Sequence, residues 1–215
     1  LQKQGAHNIN LVTATHFLPS VLSALDRVKN RLRIPVVYNC GGYESVHTVA
    51  FLRKKIQCWL PDLKYSDAVA AERYSSASDY FEKAVPAIEQ MFRQTGPYEI
   101  GADGILKKGV LIRHLILPGQ MKNTKGVLEY VAETFRKGDV LFSLMRQYTP
   151  HGRAEEFPEI NRRITDEEYE EAEAYMEALG IEDGYVQQKE SSDQSFIPVF
   201  DGTGVERAAE SNTKK

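Results

Sequence analysis

The chain has 215 residues, 42% hydrophobic and 27% charged, and Lys+Arg 27 against Asp+Glu 30 leaves a net charge of −3. That length favours a single domain with a self-sufficient core, and the slightly acidic balance lacks the basic footprint of a nucleic-acid binder. Two cysteines cannot build a disulfide framework and make a reducing cytoplasm the expectation, while no apolar run approaches the ~18 residues of a membrane span.

The first five residues, Leu1 to Gly5, read as the closing turn of a helix with Gly5 as its C-cap, which implies a preceding helix body in the whole protein. Near-continuous apolar runs follow at 9–15, 34–39, 58–65, 110–119 and 140–149. Such runs predict parallel strands covered on both faces. Between them, Val21, Leu22, Leu25, Val28 and Leu32 keep a 3.6-residue spacing. So do Val46, Val49, Leu52 and Ile56, with Ser45 placed to cap them. Residues 67–94 hold two further helical patterns, the second carrying Pro86, which predicts a kink or a delayed start. Asp103-Gly104 within 98–108 signals a hairpin. Asn123 is placed to cap a helix that turns Val127, Leu128, Val131 and Phe135 inward. Thr165 and Glu168 form a capping box before Tyr169, Ala172, Tyr175 and Leu179, and Gly180 ends that helix.

Strand and helix alternating at short spacing define βαβ units and an α/β fold with a parallel sheet. Right-handed crossovers leave an open doubly wound sheet or a barrel. The domain is expected over 1–204, with a disordered tail at 205–215.

Each strand pattern is apolar where it begins and polar where it ends. The first ends in Thr13, Thr15 and His16, and the second in Asn39, Cys40, Gly41 and Gly42. The third carries Asp62 and Lys64, the fourth Arg113 and His114, and the fifth Gln147, Tyr148 and Thr149. Parallel α/β folds place ligands at the carboxyl ends of their strands, so this rim is the expected site. Asp62 and Lys64 share a strand face. As buried charges they need a partner or a ligand, and a structural ion pair or a Schiff-base role for Lys64 are the alternatives. Arg113 and His114 point to opposite faces, and composition does not decide which one faces inward. His16 is either a site residue or a helix cap. Cys40 and Cys58 fall at opposite ends of consecutive strands and have no metal-ligand spacing. The sequence contains no Walker loop and no Gly-x-Gly-x-x-Gly, His-Glu-x-x-His or Gly-x-Ser-x-Gly pattern.

Several blocks resemble a subgroup of the radical S-adenosylmethionine superfamily, the pyruvate formate-lyase activating enzyme-like proteins. They are Gly5 to Thr13 with Thr15-His16, Val37-Tyr38-Asn39 with Gly42-Tyr43-Glu44, and Leu60-Pro61-Asp62-Leu63-Lys64-Tyr65. Ile112-Arg113-His114-Leu115 with Leu117-Pro118-Gly119, Ser143-Leu144-Met145 with Gln147-Tyr148-Thr149-Pro150, and Phe196-Ile197-Pro198 with Phe200-Asp201 extend the likeness over about residues 1–202. The resemblance implies a partial parallel (β/α) barrel, here lacking its first strand. It also implies S-adenosylmethionine bound to a [4Fe–4S] cluster and cleaved to a 5′-deoxyadenosyl radical, with a glycyl radical enzyme as possible partner. Carried over by position, the implied cofactor-binding residues are Thr13, Thr15, His16, Asn39, Asp62, Lys64, Arg113 and Gln147. The Thr13–His16 turn replaces a Gly-Gly-Glu segment, and Thr149 stands where a histidine is usual. The Cys-x3-Cys-x2-Cys loop that holds the cluster is absent from this sequence. The chain alone is therefore expected to be inactive, as part of a larger radical enzyme or as a non-catalytic binding scaffold. The edge beside residues 9–15 would then be unpaired and invites a homodimer.

Overall fold

A computed structural model describes residues 1–186. Among these residues, six α-helices connect seven strands. The elements are β1 (Ile9–Val12), α1 (Leu18–Val28), β2 (Val36–Cys40), α2 (Val46–Phe51), β3 (Cys58–Pro61), α3 (Ala68–Ser75), α4 (Tyr80–Thr95), β4 (Glu99–Ile100), β5 (Leu106–Leu115), α5 (Met121–Thr134), β6 (Leu141–Met145), α6 (Asp166–Ala178) and β7 (Gly184–Val186). The sheet runs β1-β2-β3-β5-β6-β7, and β4 pairs antiparallel with the start of β5. All other pairings are parallel. The sheet does not close, so the architecture is a partial parallel barrel.

Local chemistry explains most element ends. Thr13 takes a left-handed φ of 50° and stops β1. Ser45 accepts from the Thr48 amide to start α2, and Asp67 accepts from Val69 and Ala70 to start α3. The capping box of Thr165 and Glu168 opens α6 as the sequence predicts. Gly104, at φ 74°, turns the β4–β5 hairpin. Two expectations are corrected. Pro86 lies inside α4, whose first turn begins at Tyr80, so it does not delay the helix. Asn123 does not cap α5, because Gln120 holds that position and Asn123 is buried one turn in. The tail at 205–215 and the Phe196–Asp201 block lie outside the described residues.

A sequential parallel order with right-handed crossovers puts every connecting helix on one face of the sheet. That face is the core. Tyr38, Trp59, Val110, Ile112, Phe142 and Leu144 lie on it, each at most 1% exposed, and meet the helices. The other face is left open. Asn10 and Val12 on β1 are exposed, and Leu111, Arg113 and Leu115 on β5 are only half-buried. The two neighbours that sequence could not orient therefore divide: Arg113 faces the open concave side, and His114 faces the helices.

His114 is wholly buried and joins three elements. Its Nδ1–H donates to the Leu63 carbonyl at 2.7 Å, and its Nε2 accepts from the Thr124 hydroxyl at 3.0 Å. Both bonds suit the neutral ring, and burial lowers its pKa to about 4 from the ordinary 6.5. The unfolded chain takes up this proton as pH falls through 6.5, whereas the folded chain takes it up only near pH 4. His114 therefore withdraws stability as pH falls across that window. Denaturant unfolding should lose about 2 kcal/mol between about pH 7.5 and about pH 5, and much of that loss should vanish in His114→Gln; an equal loss in the variant would contradict the assignment.

Candidate functional site

The rim is set by the register of three neighbouring strands. In a parallel ladder, the donors toward one neighbour fall on alternate residues. The Asp62 amide donates to the Cys40 carbonyl toward β2 at 2.9 Å, and the Leu63 amide donates to the Arg113 carbonyl toward β5 at 2.8 Å. The register that pairs Cys58 with Gly109 and Trp59 with Val110 continues unshifted to the bridge between Asp62 and Arg113. Pro61, between them, has no N–H to give.

Asp62 and Arg113 form a 2.6 Å ion pair, and the same Nη2 of Arg113 donates to Oδ1 of Asn39 at 2.7 Å. One guanidinium thus ties the ends of β2, β3 and β5 on the concave face. Its Nε is buried without a hydrogen-bond partner among the described residues. Lys64 reaches Asp62 only at 3.9 Å, with 48% of its side chain exposed. The Asp62–Lys64 pair anticipated from spacing is therefore present but loose and half-exposed, and Arg113 makes the shorter contact to Asp62.

The turns behind these residues are fixed by a group that the sequence does not announce. Tyr80, the first residue of α4, is 3% exposed. Its hydroxyl lies 2.8 Å from the carbonyls of both Gly41 and Asp62 and accepts the Lys64 amide at 3.0 Å. The turn after β2 and the turn after β3 therefore hang on one phenol, whose pKa burial raises. Gly42 makes the close approach possible. At φ 79°, an added Cβ would lie 1.9 Å from the Asp62 carbonyl. Asn123 performs the same task from α5. It accepts from the Ser66 and Asp67 amides and donates to the Lys64 carbonyl.

The β1 end joins through the Thr13 amide, which donates to the Asn39 carbonyl at 2.9 Å. The Thr15 hydroxyl donates to Glu44 at 2.7 Å and lies 2.8 Å from the Tyr38 hydroxyl. Burial raises the Glu44 pKa, and the Thr15 bond and the nearby His16 oppose that shift. His16 is exposed and is not a cap; Phe17 occupies the α1 cap position. Gln147 is exposed just beyond β6. The neighbouring Arg146 turns to the helices, pairing with Asp166 and lying over the Tyr169 ring. Asn39, Asp62, Lys64 and Arg113 are thus one connected group, with Thr13 joined to it through backbone.

Cys40 and Cys58 are free and buried. Val37 is opposite Cys58, and Cys40 is opposite Pro61, so the two thiols are three register steps apart on neighbouring strands. Burial pushes Cys40 up to about 12 and Cys58 up to about 11. Among the described residues, no three His, Cys, Asp or Glu side chains group closely enough to hold a metal. No helix among them is long and apolar enough to cross a membrane.

No protein-family profile matches the chain. An uncharacterized protein of Methanocaldococcus jannaschii is 28% identical over 186 residues, which is 84% of this chain and 49% of that protein. The chain thus spans about half the length of this relative. A solved domain of a pyruvate-formate lyase-activating enzyme from Bacteroides vulgatus superposes with a TM-score of 0.58 at 14% identity, covering 84% of this chain and 98% of that domain. The fold is therefore that of an activating-enzyme domain, a partial α/β barrel with its strand ends open.

Gly42→Ala should cost about 2–4 kcal/mol, through backbone clash and a disfavoured φ. Tyr80→Phe should cost about 1–3 kcal/mol, because two buried carbonyls and an amide lose their shared partner. Urea unfolding checks both, and a neutral Gly42→Ala would refute the contact.

Proposed function

We propose that the chain is part of a radical S-adenosylmethionine protein related to pyruvate formate-lyase activating enzymes, and that its concave rim binds the methionine end of S-adenosylmethionine. The observation that carries the reading is the Asn39–Arg113–Asp62 group on three adjacent strand ends, beside the half-exposed Lys64. The sequence blocks of the family and the activating-enzyme fold support it.

The rim suits such a ligand chemically. Arg113 keeps a buried Nε–H without a partner among the described residues, and a guanidinium edge is the usual receptor of a carboxylate. Asp62 holds that guanidinium in place. Lys64 adds a mobile positive charge, and the backbone at Gly41 leaves room beside its ammonium. In the intact protein, the proposed activity is reductive cleavage of S-adenosylmethionine to a 5′-deoxyadenosyl radical, followed by hydrogen abstraction from a substrate or a glycyl radical partner.

The described residues do not fit the [4Fe–4S] cluster. Such a cluster needs three or four thiolates in one place. Cys40 and Cys58 are buried, protonated and separated along the strands. In this reading the cluster's ligands come from outside residues 1–186, and these residues bind and orient the cosubstrate.

Calorimetric titration of the chain with S-adenosylmethionine should give saturable binding that weakens about tenfold or more in Arg113→Ala. Anaerobic iron–sulfide treatment of the same chain should leave no cluster absorption in the visible range. Equal affinity in Arg113→Ala and wild type would sink the rim assignment. A cluster spectrum from this chain would sink the division of labour.

A further inference from the structure

The opposite end of the sheet carries a second charged feature that the rim does not use. A cleft of about 1010 Å³ opens at the amino ends of β2 and β3, between the ends of α1 and α2. Its apolar floor includes Leu32, Ile34 and Pro35, and its rim includes Lys29, Arg33, Arg53 and Lys54. Two lining acids are already occupied: Asp26 pairs with Lys55, and Asp103 with Lys107 at 2.6 Å. Lys29, Arg33, Arg53 and Lys54 have no ion pair among the described residues. The whole chain is net negative, so this concentration of positive charge is local.

Cations at helix C-termini are ordinary, because they offset the helix dipole. Two features here go further. The cations of two helix ends converge over one cleft with an apolar floor. Lys54 also sits at φ 65°, a left-handed backbone that glycine would take without strain. A lysine stands at a position whose backbone favours glycine.

We propose that this cleft binds an organic polyphosphate of nucleotide size. Its phosphates would lie against Lys29, Arg33, Arg53 and Lys54, and its organic body against Leu32, Ile34 and Pro35. The volume is at the upper end of small-ligand pockets, roughly 300–1000 Å³. A flat aromatic body on an apolar floor beside several cations is the arrangement that separates such a ligand from inorganic phosphate. The site lies across the sheet from the proposed cosubstrate rim, so its ligand would act as an effector or second ligand.

The test is calorimetry on the full chain at low salt and at about 0.3 M salt, with ATP as probe, and inorganic triphosphate and a short DNA duplex as comparators. ATP should bind 1:1, more tightly than triphosphate, and more weakly in high salt. Arg53→Glu with Lys54→Glu should reduce ATP affinity about tenfold or more. Lys54→Gly separates binding from folding: relief of strain should leave the melting temperature no lower than wild type, while ATP binding weakens. Triphosphate binding as tightly as ATP would remove the organic body from the proposal. Tighter binding of the duplex would overturn it in favour of a nucleic-acid surface. Unchanged ATP affinity in both variants, or no saturable binding at all, would overturn it outright.

Discussion

One guanidinium ties three strand ends together, and the rim geometry follows from it. The parallel register of β3 and β5 sets Asp62 opposite Arg113. The Asp62 carboxylate there pairs with Arg113 at 2.6 Å. Asn39 then completes the group from β2. A partly buried carboxylate would be costly alone, but beside a guanidinium its charge is offset and its geometry fixed. Three strand ends are tied by one cation, and the turns behind them by the single hydroxyl of Tyr80.

The fold supplies the setting for that chemistry. Sequential right-handed crossovers cover one face of the sheet and leave the other uncovered. The covered face is a dense apolar core built on Tyr38, Trp59, Ile112 and Leu144. The open face is half-solvated, so Arg113 and Lys64 can be charged there without full desolvation. His114, one residue from Arg113, shows the contrast. On the covered face it is neutral, buried and purely a joint between β5, the turn after β3, and α5.

Much of this was legible in the sequence. Apolar runs gave the five main parallel strands, and caps such as Ser45 and Thr165 fixed helix starts within reach of local chemistry. The polar strand ends pointed to one common rim, and Asn39, Asp62 and Arg113 do meet there. The rest depends on distance in sequence. Tyr80 acts on residues 16 to 39 positions away, and Asn123 on residues more than 50 away, so no local pattern reveals either. Spacing suggested Asp62 with Lys64, yet the closer partner came from another strand, because pairing across a sheet is invisible to periodicity. Asn123 looked like a cap because asparagine often caps helices; tertiary bonds to the Ser66 turn put it inside α5 instead.

The claim that the strand ends form a single ligand mouth is tested most directly by mapping backbone amide shifts while S-adenosylmethionine is added to the isotope-labelled chain. The account predicts a contiguous set of shifted amides at Asn39, Gly41, Asp62, Lys64 and Arg113, saturating with one common constant. Shifts scattered over both ends of the sheet, or an unmoved Arg113 beside shifts elsewhere, would contradict it.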